Sequence, residues 1–349
     1  MKSASVLSCL PLVVLIAACD RETPPRAPQP PAAEAPVQPT KAAAITPEAI
    51  NGAGFEAPPE GEVAEQTPTA SLARAQVLLD RAGFSPGVTD GRYGENVRQA
   101  IAAFQREHDM TVDGRLTQEV WDRLVAGAPQ DAVSRYVLTA EDVAGPFTPT
   151  IPEGLEAQAG LEQLGYTSAA ELVAERFHMD EQFLREMNPN ADFSRAGTEI
   201  FVTNPRRPEI TGEVARIEVD RDEKAVKAFA EDGTLLAFYP ATIGSQEQPT
   251  PEGRMTVNGV APNPTYTYDP RRVSYAGDRI TRRLTIPAGP NNPVGLVWID
   301  LSRDTYGIHG TPNPDIVGKN ASNGCVRLTN WDVQHLAAAV RPGVVVEFV

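Results

Sequence analysis

ARIEVDRDEKAVKAFAEDGTLLAFYPATIG, residues Ala215–Gly244, alternates apolar and polar side chains in runs separated by Asp232-Gly233. A period of two belongs to a strand with one buried face, and an Asp-Gly pair suits the positive φ of a hairpin turn. The pattern predicts antiparallel strands with Ile217, Val219, Val226, Ala228, Leu235 and Leu236 turned inward. Downstream, RMTVNGVAPNP, LVWIDL, TYGIHGT and GVVVEFV supply further strands. Only NWDVQHLAAAV reads as a helix, with Asn330 as its N-cap candidate. Residues 214–349 are therefore predicted to be mainly β, a sandwich or barrel with one helix beside it.

His309 ends the strand-like DTYGIHGT, and Cys325 follows after a loop rich in Pro, Gly and Asn. A strand end holds the imidazole on a rigid element while the loop folds the thiol back against it. A Cys–His pair in hydrogen-bond reach favours thiolate beside imidazolium, a nucleophile suited to acyl transfer. Gly324 lets the backbone approach closely, and the N–H groups of Gly324 and Cys325 are then natural oxyanion donors. A third group should orient the base. No Asp or Asn has an obvious claim, so a main-chain carbonyl near Ser322–Asn323 is the expected partner. A metal would need three or four ligands. His335, the other histidine of this part, is read as a surface or helix-terminal residue, and neither metal nor cofactor is expected.

The longer string IHGTPNPDIVGKNASNGCVRLTNWDV, with Gly244, PTPEGRMTV and GPNNPVGLVWIDL before it in order, resembles the L,D-transpeptidase catalytic domain of YkuD type. The signature of that family is His-Gly-Thr followed by Ser-x-Gly-Cys-x-Arg. Asn323 stands where many members carry histidine, a position thought to act through its carbonyl. The resemblance implies that Cys325 attacks the meso-diaminopimelate carbonyl of a peptidoglycan stem tetrapeptide and expels D-alanine. His309 would be the base, and Ser322, Asn323 and Gly324 would shape the nucleophile loop. Arg327 would pin that loop or meet a substrate carboxylate, and Gly310 and Thr311 are read as structural. An amine acceptor would complete a 3→3 crosslink, whereas water would make the protein a carboxypeptidase or amidase. Tyr266, Tyr268 and Tyr275 lie in an insertion that serves either as a substrate lid or as packing.

Three amphipathic helices are expected over 71–127, with Leu72, Ala75, Leu78, Leu79 and Ala82 on one face of the first. The turns between them, GFSPG and DGRYG at 83–94 and Asp113-Gly114, together with Ala100-Ile101 and Phe104-Gln105, resemble peptidoglycan-binding domain type 1. That likeness implies a small three-helix bundle on wall glycan. Thr117 departs from the pattern, which usually has glycine there. Residues 131–205 show two helical stretches, an Asn-Pro turn and a strand after Gly197. LREMNP and GTEIFV resemble a degenerate α+β LysM module whose first strand is not recognisable. His178 is read there as a surface or cap residue.

At the N-terminus, Lys2 and the apolar run Val6–Ile16 form a leader too short to span a bilayer. Ile16-Ala17-Ala18-Cys19 resembles the lipobox of bacterial lipoproteins, which implies cleavage after residue 18 and a lipid anchor on Cys19. Asp20 would then favour retention at the inner membrane of a Gram-negative periplasm. Residues 20–70 hold about a third of the 32 prolines. With few apolar clusters to offset ordering entropy, they are expected to be a disordered tether. A net charge of −15 argues against nucleic acid as a partner, since a phosphate backbone needs a basic surface. The stem peptides and glycan of peptidoglycan are the expected partners. A non-catalytic wall-binding lipoprotein is the alternative of another class.

Overall fold

The computed structural model describes residues 45–58, 66–128, 130–244, 252–272, 280–320 and 324–349. The leader, Cys19, most of the tether, Tyr275, Ser322 and Asn323 lie outside the described residues. Structure starts earlier than expected, because helix α1 (Pro47–Gly52) falls inside the stretch read as tether. Thr46 Oγ1 accepts the Ala49 N–H at 3.2 Å, Pro47 opens the helix, and Ile50 is fully buried. A capped single turn with one buried anchor is enough to order a proline-rich segment locally.

The three expected helices follow as α2 (Ala70–Arg81), α3 (Glu95–Glu107) and α4 (Gln118–Ala126). Thr117, the departure from the family pattern, caps α4 by accepting the Val120 N–H at 3.3 Å. One device recurs twice in this bundle. Gln76 holds the Asp90-Gly91 turn, and Gln105 holds the Asp113-Gly114 turn, each glutamine bonding both the aspartate and the glycine. Helix α2 is buried on two faces. Leu72, Ala75, Leu78 and Leu79 enter the bundle core, while Ala73 and Val77 enter that of the next module. Ala82, expected inward, is the exposed C-cap residue.

The middle module runs β1 (Val133–Val137), α5 (Ala140–Ala144), α6 (Leu155–Gln158), α7 (Ala169–Arg176), α8 (Glu181–Met187) and β2 (Glu199–Thr203). The first strand, unrecognised in the sequence, is β1. It pairs antiparallel with β2 from Val133↔Thr203 to Val137↔Glu199. His178 is not at the surface. Its Nδ1 lies 2.6 Å from Asp80 Oδ2 and its ring stacks on Trp331 at 5.2 Å.

Eight strands form the C-terminal sheet: β3 (Arg216–Asp220), β4 (Ala225–Phe229), β5 (Leu235–Pro240), β6 (Gly253–Pro262), β9 (Val297–Leu301), β10 (Gly307–His309), β11 (Val326–Arg327) and β12 (Val345–Phe348). A short hairpin, β7 (Tyr266–Tyr268) with β8 (Leu284–Ile286), stands apart from it. The sheet order is β11-β10-β9-β6-β12-β3-β4-β5. The long strand β6 carries an irregularity between Val257 and Gly259, so its first half pairs with β12 and its second with β9. Such a bulge sharpens the bend of a strand. The two ends of the sheet then meet. Just beyond β5, Thr242 exchanges both backbone hydrogen bonds with Arg327 at 2.9 Å, curling the sheet upon itself.

Ile217, Val219, Val226 and Ala228 are buried as expected, but Leu235 and Leu236 are only half-buried. A register shift between Ala228 and Phe229 changes which β5 residues face inward, and Ala237 and Tyr239 take the core positions. Helix α9 (Asn330–Ala339) packs Val333 and Leu336 on this core. Its N-cap is Thr329, not Asn330, with Thr329 Oγ1 accepting the Asp332 N–H at 3.1 Å. The modules pack as one compact unit from Ala44 to Val349. Phe238 of β5 is fully buried within the helical bundle's core. Burial of such a side chain contributes about 1.5–3 kcal/mol.

Candidate active site

Strands β10 and β11 run parallel with His309 opposite Arg327, and β9 runs antiparallel with Trp298 opposite His309 and Asp300 opposite Gly307. Residues two apart on a strand share a face. Trp298, Asp300, His309, Cys325 and Arg327 therefore line one cleft, of about 850 Å³. The sequence pair His309 and Cys325 is thus brought together by strand register, with Gly324 beside them.

His309 is 3% exposed, and its Nδ1 donates to the Gly310 carbonyl at 2.7 Å. That bond fixes the tautomer and leaves the Nε2 lone pair to accept a proton. The carbonyl on Nδ1 is that of Gly310, the next residue, while Ser322 and Asn323, where one was expected, lie outside the described residues. Trp298 stacks on the imidazole with ring centroids 5.4 Å apart and planes 19° from parallel. The indole occupies space left by Gly307, where a Cβ would stand 2.5 Å from the ring. Trp298 Nε1 donates to Asp300 Oδ1 at 3.2 Å, and Asn258 holds Asp300 Oδ2 at 2.9 Å. Gly324 has φ 114, and a Cβ there would touch the Tyr306 ring at 3.4 Å.

Burial, reinforced by the Arg327 guanidinium, drives the His309 pKa down to about 3 against the pull of the Gly310 carbonyl. Burial pushes the Cys325 thiol up, with the Gly307 N–H and Arg327 opposing. Both shifts favour thiol and neutral imidazole over the thiolate and imidazolium of a Cys–His ion pair. The low-dielectric surroundings disfavour both charged forms. Cys325 Sγ lies 3.6 Å from the Thr305 carbonyl.

The main chain of Arg327 bonds Thr242, while its side chain enters the cleft. Thr311 is buried and accepts the Asn313 N–H at 3.3 Å. Tyr266 lines the cleft, but Tyr268 is buried with Leu164, Leu284 and Ile286. His335 is half-buried, its Nδ1 2.7 Å from Tyr239 Oη and its Nε2 2.9 Å from the Pro208 carbonyl. Sequence reasoning missed Trp298, Asp300, Gly307 and Tyr306. A signal existed for the first two, since VWIDL puts them on the face opposite Val297, Ile299 and Leu301.

A histidine ending one strand and a cysteine just before the next, on one cleft of a curled sheet, fit the class of cysteine acyl-transfer enzymes. Residues 214–347 match the L,D-transpeptidase catalytic domain family YkuD, and residues 69–124 match the "Putative peptidoglycan binding domain" family. The "Putative L,D-transpeptidase YkuD" of Bacillus licheniformis is 30% identical over 175 residues, covering 50% of this chain and 88% of that protein. The "Probable L,D-transpeptidase ErfK/SrfK" of Escherichia coli is 30% identical over 186 residues, covering 52% of this chain and 60% of that one. A crystal structure of the L,D-transpeptidase from Xylanimonas cellulosilytica is 15% identical with a TM-score of 0.35, covering 80% of this chain and 92% of that one. The chain belongs to the L,D-transpeptidase family, as a cysteine-dependent peptidoglycan transpeptidase preceded by a peptidoglycan-binding domain. Such a substrate places it outside the cytoplasm.

Proposed function

We propose that Cys325 is the nucleophile and His309 the base of a transfer from a stem tetrapeptide to a second stem. As Sγ attacks the meso-diaminopimelate carbonyl, His309 Nε2 takes the thiol proton. The main-chain N–H groups of Gly324 and Cys325 serve as the oxyanion donors. The proton passes to the departing D-alanine amine, and the peptide bond gives way to a thioester. An acceptor amine then loses a proton to His309, attacks the thioester and frees the thiol, leaving a 3→3 crosslink.

The observation that carries this reading is the strand register setting His309, Cys325 and Arg327 on one cleft face. With burial favouring both neutral forms, the proton passes from Sγ to Nε2 as the electrophile is attacked. Among the described residues the buried Arg327 Nε has no hydrogen-bond partner, which suits a guanidinium that meets a substrate carboxylate. Arg272, Arg283, Asp269 and Asp304 add both charge signs to the cleft lining, as a stem peptide bearing amines and carboxylates requires. Gly310 and Thr311 serve the base structurally. A lipid on Cys19 would tether the enzyme in the periplasm, with inner-membrane retention through Asp20.

The test is incubation of the full chain with disaccharide tetrapeptide, reading D-alanine and muropeptide dimers by mass spectrometry. Wild type is expected to yield both, and Cys325→Ala neither, a loss of at least ~10³-fold. Turnover by Cys325→Ala would refute the assignment. Tripeptide without dimers would make water the acceptor.

A further inference from the structure

Behind the base, away from Cys325, a carboxylate of the middle module reaches the catalytic strands. Glu175 of α7 is 6% exposed, and its oxygens accept from Asn330 Nδ2 at 3.0 and 3.3 Å. Asn330, 1% exposed, turns its Oδ1 the other way to accept the Leu296 N–H at 3.0 Å. That oxygen fills space vacated by two glycines, for a Cβ would stand 2.2 Å from it at Gly295 and 2.3 Å at Gly310. Gly310 is the residue whose carbonyl holds His309 Nδ1. A chain of direct contacts thus runs Glu175, Asn330, Gly310, His309.

The surrounding loop is gripped by the same module. Asn291 Nδ2 donates to Glu171 Oε1 at 2.8 Å and to the Gly165 carbonyl at 3.0 Å, and the Leu164 N–H donates to the Ala288 carbonyl at 3.0 Å. Among the described residues no ion pair neutralises Glu175. Burial raises its carboxyl to about 8, against the Asn330 hydrogen bond. A group so unfavourable to bury contributes little as mere filling, since an apolar side chain of that volume would cost less.

We propose that Glu175 is a positioning residue for the transpeptidase reaction, holding Asn330 against Gly310 and so fixing the carbonyl that orients His309. The proposal rests on His309 being the base. It makes the middle module part of the catalytic frame. A shift of ~1 Å in a catalytic group costs up to about 10²-fold in rate.

The experiment uses full-length variants, with kcat and KM for D-alanine release, the rate of Cys325 alkylation by iodoacetamide, and the thermal midpoint. Glu175→Leu keeps volume but no acceptor, and is expected to lower kcat about 10–100-fold and slow alkylation, with KM nearly unchanged. Glu175→Gln keeps an acceptor oxygen for Asn330 and should restore kcat to within about threefold of wild type. Glu175→Asp withdraws the acceptor by one methylene and repeats the test should the leucine variant not fold. Wild-type kcat and alkylation in the leucine or aspartate variant, whatever the midpoint, would overturn the proposal, as would a glutamine variant as slow as leucine. Turnover by His309→Gln would instead remove the premise. An inactive His309→Gln beside a fully active Glu175→Leu sinks this proposal alone.

Discussion

Two clusters of ionisable side chains among the described residues, one in the cleft and one where the modules join, meet burial in opposite ways. In the cleft, burial disfavours both charged forms, pushing the His309 imidazole down and the Cys325 thiol up. Where the three modules join, Asp80, Arg207 and Asp332 are buried in contact with one another. Arg207 Nη1 lies 2.8 Å from Asp332 Oδ1 and 3.3 Å from Asp80 Oδ1, with the side chain 3% exposed. Burial opposes ionisation of Asp80 as well, but Arg207 and then His178 outweigh it and hold its carboxyl below the usual range. Ser85 Oγ donates to Asp332 Oδ2 at 3.0 Å and completes the set. Neutral burial stores reactivity that a substrate can release, whereas paired burial fastens modules together. Charge alone would not have told the two sites apart.

The comparison breaks most readily at the junction. Arg207→Met leaves two carboxylates buried without their cation and is expected to cost about 3–5 kcal/mol in urea unfolding of the full chain. Cys325 alkylation in the folded fraction should not change, and a stability within error of wild type would refute the role given to the ion cluster. In the cleft, Gly307→Ala drives a methyl into the Trp298 indole and displaces the stack on His309. A fall of about 10–100-fold in kcat is expected, with a far smaller change in the unfolding midpoint. A wild-type kcat would show that the stack does not position the base. The mildest test is pH. With a raised thiol pKa, the alkylation rate of the free enzyme should climb through pH 9 with no step near 6.5. A plateau between pH 6 and 8 would restore the ion pair.

The candidate pair His309 and Cys325 was legible in the sequence because its chemistry depends on residue type, a histidine at a strand end and a cysteine after glycine. The strands and the three-helix bundle were legible because their apolar periods are long and regular. What escaped depends on contacts across elements. Trp298 meets His309 through strand pairing, and Gly307 matters only because an indole fills its vacancy. Arg207 sits in NPRRPEI, which reads as a linker until its two distant aspartates are placed around it. Asn330 looked like a helix cap, yet Thr329 caps the helix and the Asn330 amide is spent between Glu175 and Leu296. Strand β1 alternates over only five residues, too few to stand out.

Phe238 lies in the catalytic sheet by sequence but is buried in the helical core, hydrogen-bonded through its backbone to Gly83 and Ser85. A fragment cut at Val214 would therefore carry a bare phenylalanine on its outer face. It would also strip Asp332 of Arg207 and Ser85, and Asn330 of Glu175. Among the described residues, the packing is continuous from Ile45 onward. Its helical bundle and its C-terminal sheet are not interchangeable cassettes, and a chimera that swaps one must bring the matching surface of the other.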